Sequence, residues 1–136
     1  MSSLRRRARS FLAALALASS MLPAVASDTA FPFGSELILD AAPQPGTRRV
    51  PTIEIDQGGA AVFNLWCARA SGSATVTDDA ITITPTKALS AQCPPDRISQ
   101  DAALLAALSQ VTNWRRNGDV IDFLGATNLR FRLMTN

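Results

Sequence analysis

Few side chains in this chain could do chemistry. Two cysteines, Cys67 and Cys93, stand well apart, and two carboxylates, Asp78 and Asp79, are adjacent. Four arginines, Arg115, Arg116, Arg130 and Arg132, fall near the C-terminus, and there are two tryptophans, Trp66 and Trp114. The 136 residues include no histidine and no tyrosine. Without histidine, Ser-His-Asp and Cys-His arrangements are ruled out, because the nucleophile has no base to activate it. The usual imidazole metal ligands are missing too. Any catalysis would fall to carboxylates, Lys87 or an unassisted serine. The sequence therefore predicts no catalytic residues, no cofactor and no metal.

Each remaining candidate has a structural reading beside its functional one. In an oxidising compartment two cysteines predict one disulfide, Cys67 to Cys93. It would close a loop of about 26 residues, worth on the order of 3 kcal/mol in the chain-entropy model. Two buried free thiols are one alternative. A metal pair is another, disfavoured by the lack of His and of any CxxC. Asp78-Asp79 lies between two alternating runs and reads as a turn before it reads as a metal or acid/base site. Glu54 and Asp56 alternate with Ile53 and Ile55, as on a solvated strand face.

Arg130 and Arg132 project from one face of the last strand, and Arg115 or Arg116 could join them. Such a cluster would suit an anionic lipid, glycan or acidic partner. The competing and favoured reading is cross-strand pairing with Glu54, Asp119 or Asp122, since exposed ion pairs are weak signs of binding. In a regular strand Trp66 points away from Leu65 and Cys67. It then marks either an exposed binding surface or a second small core. Trp114 is expected against the end of the helix.

The N-terminus says where these groups would act. Residues 1–9 are basic through Arg5, Arg6, Arg7 and Arg9, and residues 11–22 are apolar or small. Ala24 and Ala26 then offer the small side chains that a signal peptidase requires. The first acid is Asp28. This order predicts a signal peptide over 1–26, cleaved after Ala26. A retained anchor is disfavoured, because spanning takes about 20 predominantly apolar residues. Losing four arginines leaves 9 basic residues of the original 13 against 11 acids. The exported domain is then slightly acidic, which argues against a nucleic-acid partner. Its expected location is periplasmic or secreted, with no stable membrane anchor after cleavage, and its expected state is a monomer.

The elements that must position these groups follow from periodicity. Residues 27–32 read as a flexible tail and 33–136 as one domain. Strands are predicted over 33–40, 50–56, 61–67, 73–77 and 80–84, with turns at 57–59 and 78–79 and a turn or bulge at 68–72. A long irregular link, 85–95, precedes one helix at about 98–110. Asp96 or Ser99 is expected to cap it, and Ile98, Leu104, Leu105 and Leu108 to form its buried stripe. Asn117-Gly118 supplies a two-residue hairpin turn between 111–116 and 119–124. A closing strand, 129–133, turns Leu129, Phe131 and Leu133 inward. The predicted class is α+β: a curved antiparallel β-sheet or partial barrel of about eight short strands, with the helix packed against it.

Three features give this pattern a family likeness. Cys67-Ala68-Arg69-Ala70-Ser71-Gly72 puts a Cys at a strand end before a Gly-containing turn. Thr86 precedes Cys93 by a short segment. The helix reading Leu105-Ala106-Ala107-Leu108-Ser109-Gln110-Val111 leads to Trp114, a Gly-Asp hairpin and a closing apolar strand. Over residues 33–134 the chain resembles the META domain, the HslJ-like family of small exported bacterial proteins. It departs from that pattern in having Ala68 where Asn is usual and a longer spacing before Cys93. The resemblance implies a β-rich domain with one helix in or facing the periplasm. It also implies links to heat shock, envelope stress, antibiotic tolerance or motility, and it brings no catalytic residues with it.

The function expected is that of an exported, non-enzymatic protein serving envelope stress response or binding an unknown envelope component. Its possible binding surface is Trp66, Arg115, Arg116, Arg130 and Arg132. The alternative is a protein inhibitor or assembly accessory engaging a protein partner through a loop such as 85–95 or a strand edge. A hydrolase with a carboxylate dyad is disfavoured by the absence of a nucleophile motif and of suitably spaced carboxylates.

Overall fold

The computed structural model describes Leu22, residues 29–86, Ala88 and residues 92–135. The predicted signal peptide lies outside the described residues, Leu22 apart, as do Lys87 and residues 89–91 of the link 85–95. Eight strands run in order: β1 (Leu37–Leu39), β2 (Thr52–Ile55), β3 (Ala60–Asn64), β4 (Arg69–Thr77), β5 (Ala80–Pro85), β6 (Val111–Asn117), β7 (Val120–Gly125) and β8 (Leu129–Leu133). One helix, α1 (Pro95–Ser109), lies between β5 and β6. Each strand pairs antiparallel with the next, and β8 returns to β1 through Leu37↔Leu133 and Leu39↔Phe131. The predicted α+β class holds, and the expected partial barrel is closed.

Alternation explains the closure. Ile53 and Ile55, Ala61 and Phe63, Ile81 and Ile83, and Ile121 and Phe123 turn inward and are buried, with polar or smaller neighbours facing out. Phe63, Phe123, Phe131, Leu37 and Leu65 fill the lumen with them. At about 25 cal/mol per Å² of apolar surface removed from water, each such side chain contributes roughly 1.5–3 kcal/mol.

Several boundaries differ from the sequence expectation, each for a physical reason. Residues 69–72, predicted as part of a turn, are the first half of β4. Gly72 is a packing requirement there: a Cβ on it would meet the backbone of Thr84 and Pro85 on β5. The turn comes earlier, at 65–68, and cuts the predicted strand 61–67 short at Asn64. The β6–β7 turn is Gly118-Asp119, one residue later than predicted, because Asn117 still pairs with Val120. Gly118 occupies its first position at φ +61°, where a glycine is unstrained.

The helix starts three residues early. Pro95 is its first residue and Pro94 its N-cap, with no side-chain cap from Asp96 or Ser99. A proline at that position gives up an N–H that would have no partner in the helix anyway. The buried face is Asp101, Leu104 and Leu108. Ile98, expected in the stripe, is 56% exposed. Strands β5 and β6 share one ladder pair, Ala80↔Asn113, and α1 packs on β5 beside that opening.

Alternating strand directions gather the β2–β3, β4–β5 and β6–β7 turns at one end of the barrel. The N-terminal segment lies at that end. Phe31 and Pro32, predicted in a flexible tail, pack on the barrel. The Phe31 ring is edge-on to Trp114 at 5.0 Å and 6.5 Å from Phe123. Gly34 N–H donates to Ile55 O at 2.8 Å. The opposite end carries the β3–β4 turn, the start of α1 and the disulfide.

Candidate functional site

The register of the C-terminal strands sets Arg115 of β6 opposite Asp122 of β7, and Asp122 opposite Arg130 of β8. Asp40, just past β1, continues the row, its N–H donating to Arg130 O at 2.8 Å. Charges thus alternate across four strands: Arg, Asp, Arg, Asp. Arg115 Nε donates to Asp122 Oδ2 at 3.0 Å, and Arg130 Nε donates to Asp122 Oδ1 at 2.8 Å. Arg132 Nη2 donates to Asp40 Oδ2 at 3.2 Å.

The Asp122 side chain is 15% exposed, whereas the Arg115 and Arg130 side chains are 67% and 54% exposed. The Arg130 hydrogen bond holds the Asp122 carboxyl below its ordinary range; the Arg115 bond and both charges act the same way, against partial desolvation. Asp122 in turn raises the Arg130 guanidinium above its usual value. A shallow concavity of about 340 Å³ lies here, lined by Asp40, Arg115, Asp122, Leu124, Asn128, Leu129 and Arg130.

Of the predicted surface residues, the structure brings Arg115, Arg130 and Arg132 onto one face. Cross-strand pairing occurs through Asp122, one of the three acids expected; Asp40, which the sequence does not single out, is the second acid. Arg116 leaves the group. Its side chain is half-buried and donates to Gly118 O at 2.7 Å and Ala30 O at 3.0 Å, tying the N-terminal segment to the β6–β7 turn. Trp66 does not join either. It is half-buried in the β3–β4 turn, far round the closed barrel from β7 and β8, beside Thr47, Pro94 and Arg97. Trp114, expected against the helix end, is buried with Phe31 edge-on to it, and its indole Nε1 has no hydrogen-bond partner among the described residues.

The second constellation lies at the disulfide end. Cys67 and Cys93 are bonded, with Cα atoms 6.0 Å apart. The turn they anchor is gripped on both sides. Asp101, 3% exposed, accepts from Ala68 N–H at 2.7 Å and from Cys67 N–H at 3.3 Å. Arg49 donates to Cys67 O at 2.9 Å and to Ala68 O at 3.3 Å. An apolar cleft of about 330 Å³ adjoins this end, lined by Ala68, Cys93, Ile98, Ala102 and Leu105 among others. Sequence reasoning misses Asp101, although a signal exists: it stands three and seven residues before Leu104 and Leu108, on the apolar stripe.

Asp78 and Asp79 form the β4–β5 turn, with Asp78 at φ +43°. Among the described residues no group of three or more His, Cys, Asp or Glu could hold a metal ion. No described helix is long and apolar enough to cross a membrane.

A family model described as the META domain matches residues 35–135. No curated protein and no solved structure matches the chain. The structured unit begins before the matched span, since Phe31 and Pro32 already pack on the barrel.

Proposed function

Because the chain belongs to the META domain family, we propose that it is an exported, non-enzymatic domain that binds a component of the cell envelope through the arginine-bearing face of β6, β7 and β8. The observation that carries this reading is the Arg115–Asp122–Arg130 row. Two exposed guanidiniums share Asp122, and with the Arg132–Asp40 pair the face sets three arginines against two aspartates, a net positive charge on a domain that is slightly acidic after signal removal. Export is supported by the Cys67–Cys93 bond, which persists in oxidising compartments, and by the basic, apolar, small-residue order of the first 26 residues.

The lumen is packed with side chains, so binding falls to the outside of the barrel. For the alternative, an inhibitor or assembly accessory, β1 is paired with β8, and the strand-edge route narrows to the β5–β6 seam with its one ladder pair. A second route is the loop that ends at Cys93, pinned by the disulfide beside the apolar cleft.

The test is retention of the mature protein on an envelope fraction, compared with the R115Q/R130Q double variant at matched thermal stability. Retention that disappears in the variant supports the reading. Equal retention of both proteins refutes it. Mass spectrometry of the exported protein should place its N-terminus at Ser27; an intact Met1 would refute export by a cleaved signal.

A further inference from the structure

We propose that the concavity over β6–β8 is a carboxylate-binding site whose donors are Arg115, Arg130 and Asn128, with Asp122 as the positioning residue that holds the two arginines. This deepens the preceding reading and rests on it: the same face binds, and its ligand is now given a chemistry.

The donors are counted from the hydrogen bonds. A guanidinium offers five N–H groups in a fixed fork. Arg115 and Arg130 each use only Nε on Asp122. Their Nη atoms make no hydrogen bond among the described residues, and both residues line the concavity. Asn128, which also lines the concavity, accepts from Gly125 N–H through Oδ1 at 3.2 Å, which leaves its Nδ2 amide available as a donor. Arginine edges of this kind suit a planar carboxylate, which can accept two parallel bonds.

The charge selects among oxyanions. Two arginines and two aspartates line the concavity, and Arg132, paired with Asp40, gives the wider face one net positive charge. A monoanion balances it. A dianionic phosphate would bring its second charge against the Asp40 and Asp122 carboxylates. Leu124 and Leu129, both half-buried, supply an apolar wall beside the donors. The ligand that fits is a carboxylate on a short aliphatic group, as at the C-terminus of a peptide ending in a small apolar residue.

Preorganisation gives the site its means of binding. Arg115, Asp122 and Arg130 sit directly opposite one another on three paired strands, so their spacing is set by the backbone ladder. The shared carboxylate fixes each fork through its Nε. Ordering the side chains before the ligand arrives reduces the entropy lost on binding.

The experiment is a titration of the mature protein with N-acetyl-Ala-Ala, followed through the Nε–H NMR signals of Arg115 and Arg130. Three parallel titrations use the C-terminal amide of that peptide, inorganic phosphate, and sodium chloride at matched ionic strength. The acid should produce saturable shifts that the amide and chloride do not. R115Q and R130Q should each weaken binding about tenfold, as for loss of a charge-assisted hydrogen bond. D122N separates positioning from bulk charge. It adds local positive charge, so simple attraction would tighten binding, whereas loss of the shared carboxylate should weaken it.

Shifts reproduced by the amide or by chloride, tighter binding of phosphate, or tighter binding by D122N would each overturn the proposal. If the acid has no effect while R115Q/R130Q still abolishes envelope retention, the face binds and the carboxylate assignment fails. If both tests fail, the binding reading of this face fails with it.

Discussion

Changing Asp101 to Ala should be the most damaging single substitution of a polar side chain in this domain. The carboxylate is 3% exposed and accepts from Ala68 N–H at 2.7 Å and from Cys67 N–H at 3.3 Å. A hydrogen bond to a charged group is worth about 1.5–3 kcal/mol, and a buried N–H left unpaired costs about 1–3 kcal/mol. The Ala68 bond counts in full, since Ala68 is 7% exposed; the longer Cys67 bonds count for less. Against the loss stands relief from burying a charge. The net expectation is about 2–3 kcal/mol, which for a domain near 100 residues lowers Tm by roughly 8–12 °C. D101N keeps one carbonyl oxygen for the Ala68 N–H and should cost about 1 kcal/mol. Thermal and urea melts of the oxidised mature protein at pH 7 measure both variants. Mass spectrometry confirms that the Cys67–Cys93 bond is intact in each. A D101A protein within about 0.5 kcal/mol of the parent, or a D101N protein less stable than D101A, would refute the claim that this carboxylate holds the turn.

Reduction of Cys67–Cys93, which spans 26 positions, should destabilise the domain by up to about 3.5 kcal/mol on the chain-entropy model; an unchanged Tm in reductant contradicts this. Because the disulfide and Asp101 anchor the same turn, their losses should not be additive in a double variant. For Asp122 the folded pKa is lowered, first by the Arg130 hydrogen bond, so its stabilisation is complete above the unfolded carboxylate value near about 3.9 and fades as pH falls through the lower folded value. The parent should therefore exceed D122N by no more than about 1 kcal/mol at pH 7, given the solvent screening of the row, with the gap closing in acid; a gap that widens on acidification refutes the sign. F31A should cost roughly 2 kcal/mol, less than for a fully buried phenylalanine, and should shift Trp114 fluorescence as solvent reaches the indole; an unchanged melt and spectrum would show that residues 30–34 do not seal this end.

Periodicity of two makes the barrel legible in the sequence. Ile53/Ile55, Ile81/Ile83 and Leu129/Phe131/Leu133 announce an inward face, and Gly118 announces the hairpin. Three features are harder to see. Ala70, Ser71 and Gly72 have the composition of a turn, yet they lie in β4, and Gly72 is small because the backbone of β5 runs close against it. Helix α1 presents Asp101 where a hydrophobe is expected, because its partner there is a turn with free N–H groups. Phe31 and Pro32 precede the first strand without any alternating pattern and look like tail, although the aromatic cluster with Trp114 makes them part of the fold. At the candidate site, the alternation of Arg130 and Arg132 shows a charged face. Which acid each arginine meets depends on cross-strand register, and a local sequence pattern does not encode that.

The closed barrel also explains why the candidate site lies where it does. An eight-stranded barrel has an interior just wide enough either to be filled by side chains or to hold one small ligand. Here Phe63, Phe123, Phe131, five isoleucines and two leucines, Leu37 and Leu65, occupy it, each no more than 2% exposed. Both ends are covered: one by Phe31 over Trp114 and Phe123, the other by α1, Asp101 and the disulfide-bonded turn. With the interior full, and strand edges unpaired only along the β5–β6 seam, the outer surface of the wall is where a ligand could be met. On the β6–β8 wall the charges alternate in register, so neighbouring strands attract while an outward edge of each guanidinium stays available. Inverting the row, with Arg115→Asp, Asp122→Arg and Arg130→Asp, keeps both ion pairs and reverses the charge excess. If the pairs serve stability alone, that triple variant should melt within about 1 kcal/mol of the parent and still be retained on the envelope fraction. If the excess charge recognises a ligand, the melt should be preserved and retention lost.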